Sequence, residues 1–231
     1  MTDCERTFPA VDCVIPAGGL SQRMNPAHSR PVPKALFSLG GRTLLARVVE
    51  QAREVCSRCF VVTGWGADEV AREAASLAGV TVVHNPDFAL GMVSSILAGA
   101  RQVRSEWFFV APADMPFLSP AVYRAVLSGA LAGSDEMSRG EISRGEDVFF
   151  PLNQGKRGHP VLIRRALLPE LETAFERARE ESRSRGSREE ILLKMLLRDR
   201  SCRGVPVVTD DIRVDLDTPE ELARAQERCA P

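Results

Sequence analysis

The chain has 231 residues, 44% of them hydrophobic and 26% charged, with a formal net charge of -1. That length supports one sizeable core, so a single α/β domain spanning 1–231 is expected, and the near-neutral charge gives no basis for a nucleic-acid or membrane-surface partner. No run approaches the roughly 18 apolar residues of a membrane span, and the polar start Met1-Thr2-Asp3-Cys4-Glu5-Arg6 has no signal-peptide core, so the expected setting is cytoplasmic.

The first apolar run, Val11–Ile15, reads as a strand and breaks into Pro16-Ala17-Gly18-Gly19-Leu20-Ser21-Gln22-Arg23-Met24. From Cys13 to Val49 there are five basic residues and no Asp or Glu. A strand that ends in a glycine-rich, acid-free, cationic loop suits a polyanion, most simply a nucleoside triphosphate. Glycines let the backbone come close to phosphate oxygens, and the N–H groups that follow can point at them. The Gly-x-x-x-x-Gly-Lys-Ser/Thr and Gly-x-Gly-x-x-Gly patterns of the two commonest phosphate loops are both absent after this strand. Eleven residues beyond Arg23 comes Lys34, within Pro33-Lys34-Ala35-Leu36.

Leu44, Leu45, Val48, Val49, Ala52 and Val55 are spaced as one helix face. Cys56-Ser57-Arg58-Cys59 follows; with no second cysteine or histidine pair at zinc spacing, it reads as a helix end and strand start facing the core. Its redox role is left open. Cys59–Thr63, Val80–His84 and Trp107–Ala111 read as further strands, with helices through Val70–Leu77 and Met92–Val103 between them. Gly91–Gly99 opens its helix with small and hydroxyl residues, among them Ser94 and Ser95, which can bond a base, ribose or phosphate. After Ala111 comes Pro112-Ala113-Asp114-Met115-Pro116. A carboxylate at a strand's carboxyl end can hold a divalent cation over a triphosphate.

A helix through Val122–Leu127 leads into Ala132–Asp147, where Ser-Arg-Gly-Glu occurs twice without apolar periodicity, and a flexible insertion at 132–147 is expected. Strands Val148–Leu152 and Val161–Arg164 flank Gly155-Lys156-Arg157-Gly158-His159-Pro160, a second glycine-rich cationic turn suited to an anionic acceptor. The stretch 166–200 reads as helical, through Pro169–Arg183 and Ile191–Leu197. Val205–Val208 and Ile212–Leu216 read as closing strands, whose alternation would put Asp215 and Asp217 on one face. Thr218 can N-cap a last helix with Pro219 at its first position. The strand–helix alternation predicts a mostly parallel sheet covered on both faces, with ligands at the carboxyl ends of the strands.

Ala17–Met24, Pro33–Leu36 and Gly40-Gly41-Arg42-Thr43-Leu44-Leu45, taken with the later segments, resemble the nucleotidyltransferase superfamily, and within it the molybdenum-cofactor nucleotidyltransferases. The resemblance runs from about Val11 to Glu221. It implies a Rossmann-like three-layer sandwich of the nucleotidyltransferase type. The implied activity is transfer of a nucleoside monophosphate from an NTP to the terminal phosphate of molybdopterin, with Mg2+ as cofactor and pyrophosphate released. A client molybdoenzyme is a further implied partner. Asn85–Ser95, Gly158–Leu162 and Asp215–Glu220 look most like the cytidylyl branch, which favours CTP, whereas Gly18-Gly19 looks more like the guanylyl branch.

The corresponding roles place Ala17, Gly18, Gly19, Arg23 and Lys34 on the triphosphate and Ser94 and Ser95 along the nucleotide pocket. Asp114 and Asp217 would hold the metal, and Gly158 and His159 would face the acceptor. Arg23, Lys34 and Asp114 are the expected catalytic set. One departure stands out: the family usually has Gly after Arg-Met and reaches its lysine within a few residues, whereas Met24 is followed by Asn25 and a proline-bearing loop. That loop is similar to sugar-1-phosphate nucleotidyltransferases, and a sugar 1-phosphate or another phosphorylated small alcohol is the alternative acceptor. A non-catalytic protein that binds or delivers the cofactor is the alternative of another class.

Overall fold

A computed structural model describes residues 9–21, 23–25, 31–135, 146–184, 192–198 and 200–229. Strand β1 (Asp12–Pro16) is buried at every position, as a central strand with helices over both faces must be. The two-residue β2 (Ser38–Leu39) and β3 (Arg42–Thr43) form a separate antiparallel ribbon. Its turn, Gly40-Gly41, has φ of 56° and 77°, which glycine adopts without a Cβ penalty.

In the main sheet β1 pairs in parallel with β4 (Arg58–Thr63) and β6 (Trp107–Val110), and β5 (Val80–His84) extends it beside β4. Past β6 the order continues through β9 (Val161–Arg164), β7 (Val148–Asn153) and β10 (Cys202–Pro206). β9 runs antiparallel to both its neighbours, and the short β8 (Lys156–Arg157) folds back on β7. The sheet is the mostly parallel α/β one that the alternation predicts, with one reversed strand in its path.

Alternation along the strands splits the core into two layers. Cys13, Ile15, Cys59, Val61 and Phe109 face α1 (Leu44–Arg53), α2 (Ala67–Ala75) and α4 (Pro120–Asp135). Val14, Phe60, Val62, Phe108 and Val110 face α3 (Met92–Ala100) and α5 (Leu168–Ser184). Burying each such side chain contributes about 1.5–3 kcal/mol, so residues one apart on β6 tie opposite helical layers to one strand. Cys56 and Cys59 lie in the first layer beside Cys13. Burial pushes the Cys13 thiol well above its ordinary pKa, and the neighbouring thiols reinforce the shift, so it stays protonated. Among the described residues no helix is long and apolar enough to cross a membrane.

A third, smaller cluster closes the carboxyl edge. Leu39 of the ribbon and Leu44 pack against Leu216 and Ala225, bringing α7 (Pro219–Arg228) onto β2. Thr218 caps α7 as expected, accepting the Glu221 N–H at 3.2 Å, while the Glu221 carboxylate accepts the N–H groups of Asp217 and Thr218 at 2.8 and 2.9 Å.

Four sequence expectations are corrected. Ile212–Leu216 is not a strand: Thr209 Oγ1 accepts the Asp211 N–H, Arg213 pairs with Asp210, and the chain turns there instead of entering a ladder. The strand expected at Val205–Val208 sits earlier, at Cys202–Pro206, in register with Val148–Leu152, and leaves Val208 fully exposed. Residues 132–135 belong to α4 and not to the expected insertion; residues 136–145 lie outside the described residues. In the 166–200 segment α5 forms as expected, whereas the second helix is a single turn, α6 (Leu193–Leu196), and Ile191 lies outside the described residues.

Candidate active site

The loop after β1 is shaped by a close backbone approach. The Ala17 N–H donates to Val62 at 2.9 Å and so remains part of the sheet; the Gly18 carbonyl accepts the Trp65 N–H at 3.1 Å. A Cβ on Gly18 would lie 2.6 Å from the Gly64 nitrogen, whereas a Cβ on Gly19 would meet nothing within 4 Å. The two glycines differ in their surroundings: the missing Cβ of Gly18 lets two chain segments touch, whereas the Cβ direction of Gly19 is empty among the described residues. The N–H groups of Gly18, Gly19 and Leu20 have no partner among the described residues.

Ser21, which motif reading passed over, joins this loop to the lysine segment. Its hydroxyl donates to the Gly19 carbonyl at 3.2 Å and accepts the Lys34 N–H at 2.7 Å. Met24 is buried and anchors the turn, while Arg23 beside it is exposed and reaches Asp217 at 2.8 Å. Lys34 opens a short 3-10 turn, Lys34–Leu36, and sends its ammonium inward.

That ammonium sits between two carboxylates, Asp114 after β6 and Asp217 before α7, with 2.5 Å to the latter. Burial works to lower the Lys34 pKa, but the charges and hydrogen bonds of Asp114 and Asp217 outweigh it and hold the value above 10.5. Burial likewise works to raise Asp217, and Lys34 and Arg23 overcome it, so its pKa lies below 3.8. Asp215 is raised, first by burial and then by the charges of Asp217 and Asp114, which places it within electrostatic reach although its segment is not a strand. The second oxygen of Asp114, Oδ1, is buried without a hydrogen-bond partner among the described residues. Capping of α7 falls to Thr218, which leaves the Asp217 carboxylate to the two cations.

Ser94 and Ser95 lie in the first turn of α3, both buried. Their hydroxyls accept from the Asn85 carboxamide at 2.9 and 3.0 Å, and Ser94 Oγ also lies 2.8 Å from the Gly91 carbonyl. Asn85 follows β5, so this network ties the start of α3 to the sheet's carboxyl edge. Gly158 packs against Ile212, whose carbonyl accepts the His159 N–H at 2.8 Å. Burial lowers the His159 pKa below 6.5, with Asp114 opposing, so the imidazole is neutral at neutral pH. The structure thus brings Arg23, Lys34, Asp114 and Asp217 together beside Gly18-Gly19, with His159 within electrostatic reach of Asp114.

The family model for the MobA-like NTP transferase domain matches residues 13–191. The molybdenum cofactor cytidylyltransferase of Escherichia coli (strain K12) is 29% identical over 219 residues, covering 95% of this chain and 97% of that protein. A molybdenum cofactor guanylyltransferase from Rhodopseudomonas palustris (strain BisB5) is 31% identical over 177 residues, covering 69% and 73%. Among solved structures, a nucleotidyl transferase from Methanothermobacter thermautotroptrophicus shares the fold with a TM-score of 0.70 at 22% identity, covering 95% of this chain and 97% of that one.

Proposed function

We propose that this chain, which belongs to the MobA-like NTP transferase domain family, transfers the nucleoside monophosphate of an NTP to the terminal phosphate of molybdopterin. Nucleotidyl transfer is the family's chemistry. CTP is placed first because the stretches at 85–95, 158–162 and 215–220 resemble the cytidylyl branch, and a cytidylyl relative matches nearly end to end. One observation carries the reading: the Lys34 ammonium is held between Asp114 and Asp217 beside an open glycine loop.

In this reaction an acceptor phosphate oxygen attacks the α-phosphorus; the new P–O bond forms as the bond to pyrophosphate breaks. A phosphate monoester loses its second proton at a pKa of about 6, so the acceptor needs no general base near neutral pH. Catalysis then rests on positioning and charge neutralisation. The N–H groups of Gly18 and Gly19, without a partner among the described residues, would cradle the triphosphate. Arg23, exposed and planar, would meet charge on the transferring and leaving phosphates. Lys34 would neutralise the α-phosphate and the incoming oxygen. Ser94 and Ser95 would border the nucleotide pocket, and neutral His159 with Gly158 would present an uncharged hydrogen-bonding edge to the acceptor.

The unpartnered Asp114 Oδ1 and the adjacent Asp217 fit a divalent cation, Mg2+ in this reading. Mg2+ is usually held by one or two carboxylates and completed by substrate phosphates. Bound there, it would supply charge neutralisation on the triphosphate. A client molybdoenzyme receiving the product, and a cytoplasmic setting, belong to the same reading.

The test is product identification. The chain is incubated with CTP, Mg2+ and either molybdopterin or a sugar 1-phosphate, and products are resolved by mass spectrometry. A cytidylylated molybdopterin supports the reading. A nucleotide sugar would move the acceptor to the alternative class, and bound but unconsumed CTP would make this a binding protein.

A further inference from the structure

Between Arg23 and Lys34 the chain carries a longer connection than the family motif it resembles, yet Lys34 arrives between Asp114 and Asp217. Asn25 accounts for this. Its Nδ2 donates to the Ser21 carbonyl at 2.8 Å and to the Val32 carbonyl at 3.0 Å, and its Oδ1 accepts the Val32 N–H at 2.7 Å. A carboxamide holds a donor and an acceptor in one plane, so it can pair with both backbone groups of one residue as a neighbouring strand would. Two residues further on, the Lys34 N–H reaches Ser21 Oγ at 2.7 Å. Asn25–Val32 and Ser21–Lys34 are thus two rungs that fasten the returning chain to the phosphate loop.

Ser21 supports the same conclusion. Its φ is +54°, a left-handed conformation that is unfavourable for a residue with a side chain. Such a conformation persists where surrounding bonds over-determine it. Here the Ser21 hydroxyl serves Gly19 and Lys34, and its carbonyl accepts from Met24 at 3.2 Å and from Asn25.

We propose that Asn25 is a positioning residue for nucleotidyl transfer: by closing the chain onto Val32 it fixes where Lys34 stands relative to Gly19. The proposal deepens the functional reading above and rests on it for the reaction. Asn25 itself touches no reacting atom in this scheme. An aspartate at this position could accept the Val32 N–H but would lose both donated bonds, so the amide and not only its size is required.

The experiment compares the full chain with Asn25→Ala and Asn25→Asp. Residue-resolved amide exchange, without nucleotide, should show Lys34 exchanging about fivefold to tenfold faster in both variants, as loss of about one hydrogen bond's stabilisation allows. Val32 should follow in the alanine variant, with Tm unchanged. With CTP, Mg2+ and molybdopterin, kcat should fall on the order of 10- to 100-fold, the scale of a small misplacement of a catalytic group, while the KM for CTP stays within about threefold, because the Gly18-Gly19 contacts are unchanged. If Asn25→Ala does not fold, the nearly isosteric Asn25→Asp carries the test. Unchanged exchange at Lys34 overturns the proposal whether or not the chain turns over, and so does faster exchange with unaltered kcat. Absent turnover in the parent chain counts against the functional reading alone, since the exchange rates still decide the role of Asn25 in placing Lys34.

Discussion

The backbone N–H of Leu216 donates to the carbonyl oxygen of Asp114 at 3.0 Å, joining a segment near the C-terminus to the loop after β6. The next residue, Asp217, thereby lands beside Asp114, with Lys34 between them. Because the bond is backbone to backbone, it survives changes to either carboxylate, and the site can be dissected without taking it apart.

Asp114→Asn should therefore keep the fold and lose metal-dependent turnover, with kcat falling on the order of 100-fold or more, as for loss of a main electrostatic stabiliser. The check is kcat as a function of Mg2+ alongside a circular-dichroism melt. Unchanged turnover at saturating Mg2+ would remove Asp114 from the metal assignment.

Lys34→Met should lower kcat by a similar order, about 100-fold, and leave two carboxylates facing each other without a cation. Added Mg2+ without nucleotide should then raise Tm more in the variant than in the parent chain, because a ligand that binds the folded state stabilises it. Equal Mg2+ shifts in the two proteins would show that the ammonium and the metal do not share the carboxylates.

The paired glycines should separate in their effects. Gly18→Ala forces a Cβ against Gly64 backbone and should destabilise by about 1–3 kcal/mol, the usual cost of overpacking. Gly19→Ala adds a methyl group in open space and should leave Tm unaltered while raising the KM for CTP. Denaturant melts and steady-state kinetics on the two variants check this.

Motif reading singled out Arg23, Lys34, Asp114 and Asp217, which the structure draws together, because charged residues beside glycines and strand ends leave a signal in sequence. It gave both glycines one role on the triphosphate and did not reveal the packing of Gly18, since only the approach of Gly64 shows it. Ser21, Asn25 and Asn85 act through hydrogen bonds to backbone or to other side chains, and no spacing rule marks such residues. The closing strand expected at Ile212–Leu216 had the right apolar residues, but Ile212 and Leu216 bury in different clusters, and Asp210 with Arg213 closes a turn instead. The sheet was legible at β1, β4, β5, β6, β7 and β9, which are mostly apolar, whereas β8 (Lys156–Arg157) and β10, with Arg203 and Gly204, leave no such run.

The His159 shift has a definite consequence for pH. Its folded pKa lies below 6.5, so the unfolded chain binds the proton more readily. The stability linked to neutral His159 is fully present above pH 6.5 and is lost as pH falls through the folded value. An NMR titration of His159 should give a midpoint below 6.5, and His159→Gln should flatten that part of the stability profile. Lys34, raised above 10.5, and Asp217, lowered below 3.8, contribute steadily between those limits: the first is lost as pH rises through its folded value, the second as pH falls through its own. A midpoint at or above 6.5 would contradict the partly buried, neutral imidazole.

The most direct test of the whole account is pyrophosphate release by the full chain with Mg2+ and molybdopterin, with CTP and GTP in parallel. The account predicts release that depends on molybdopterin and is faster with CTP. Folded protein that releases pyrophosphate with neither nucleotide would contradict it.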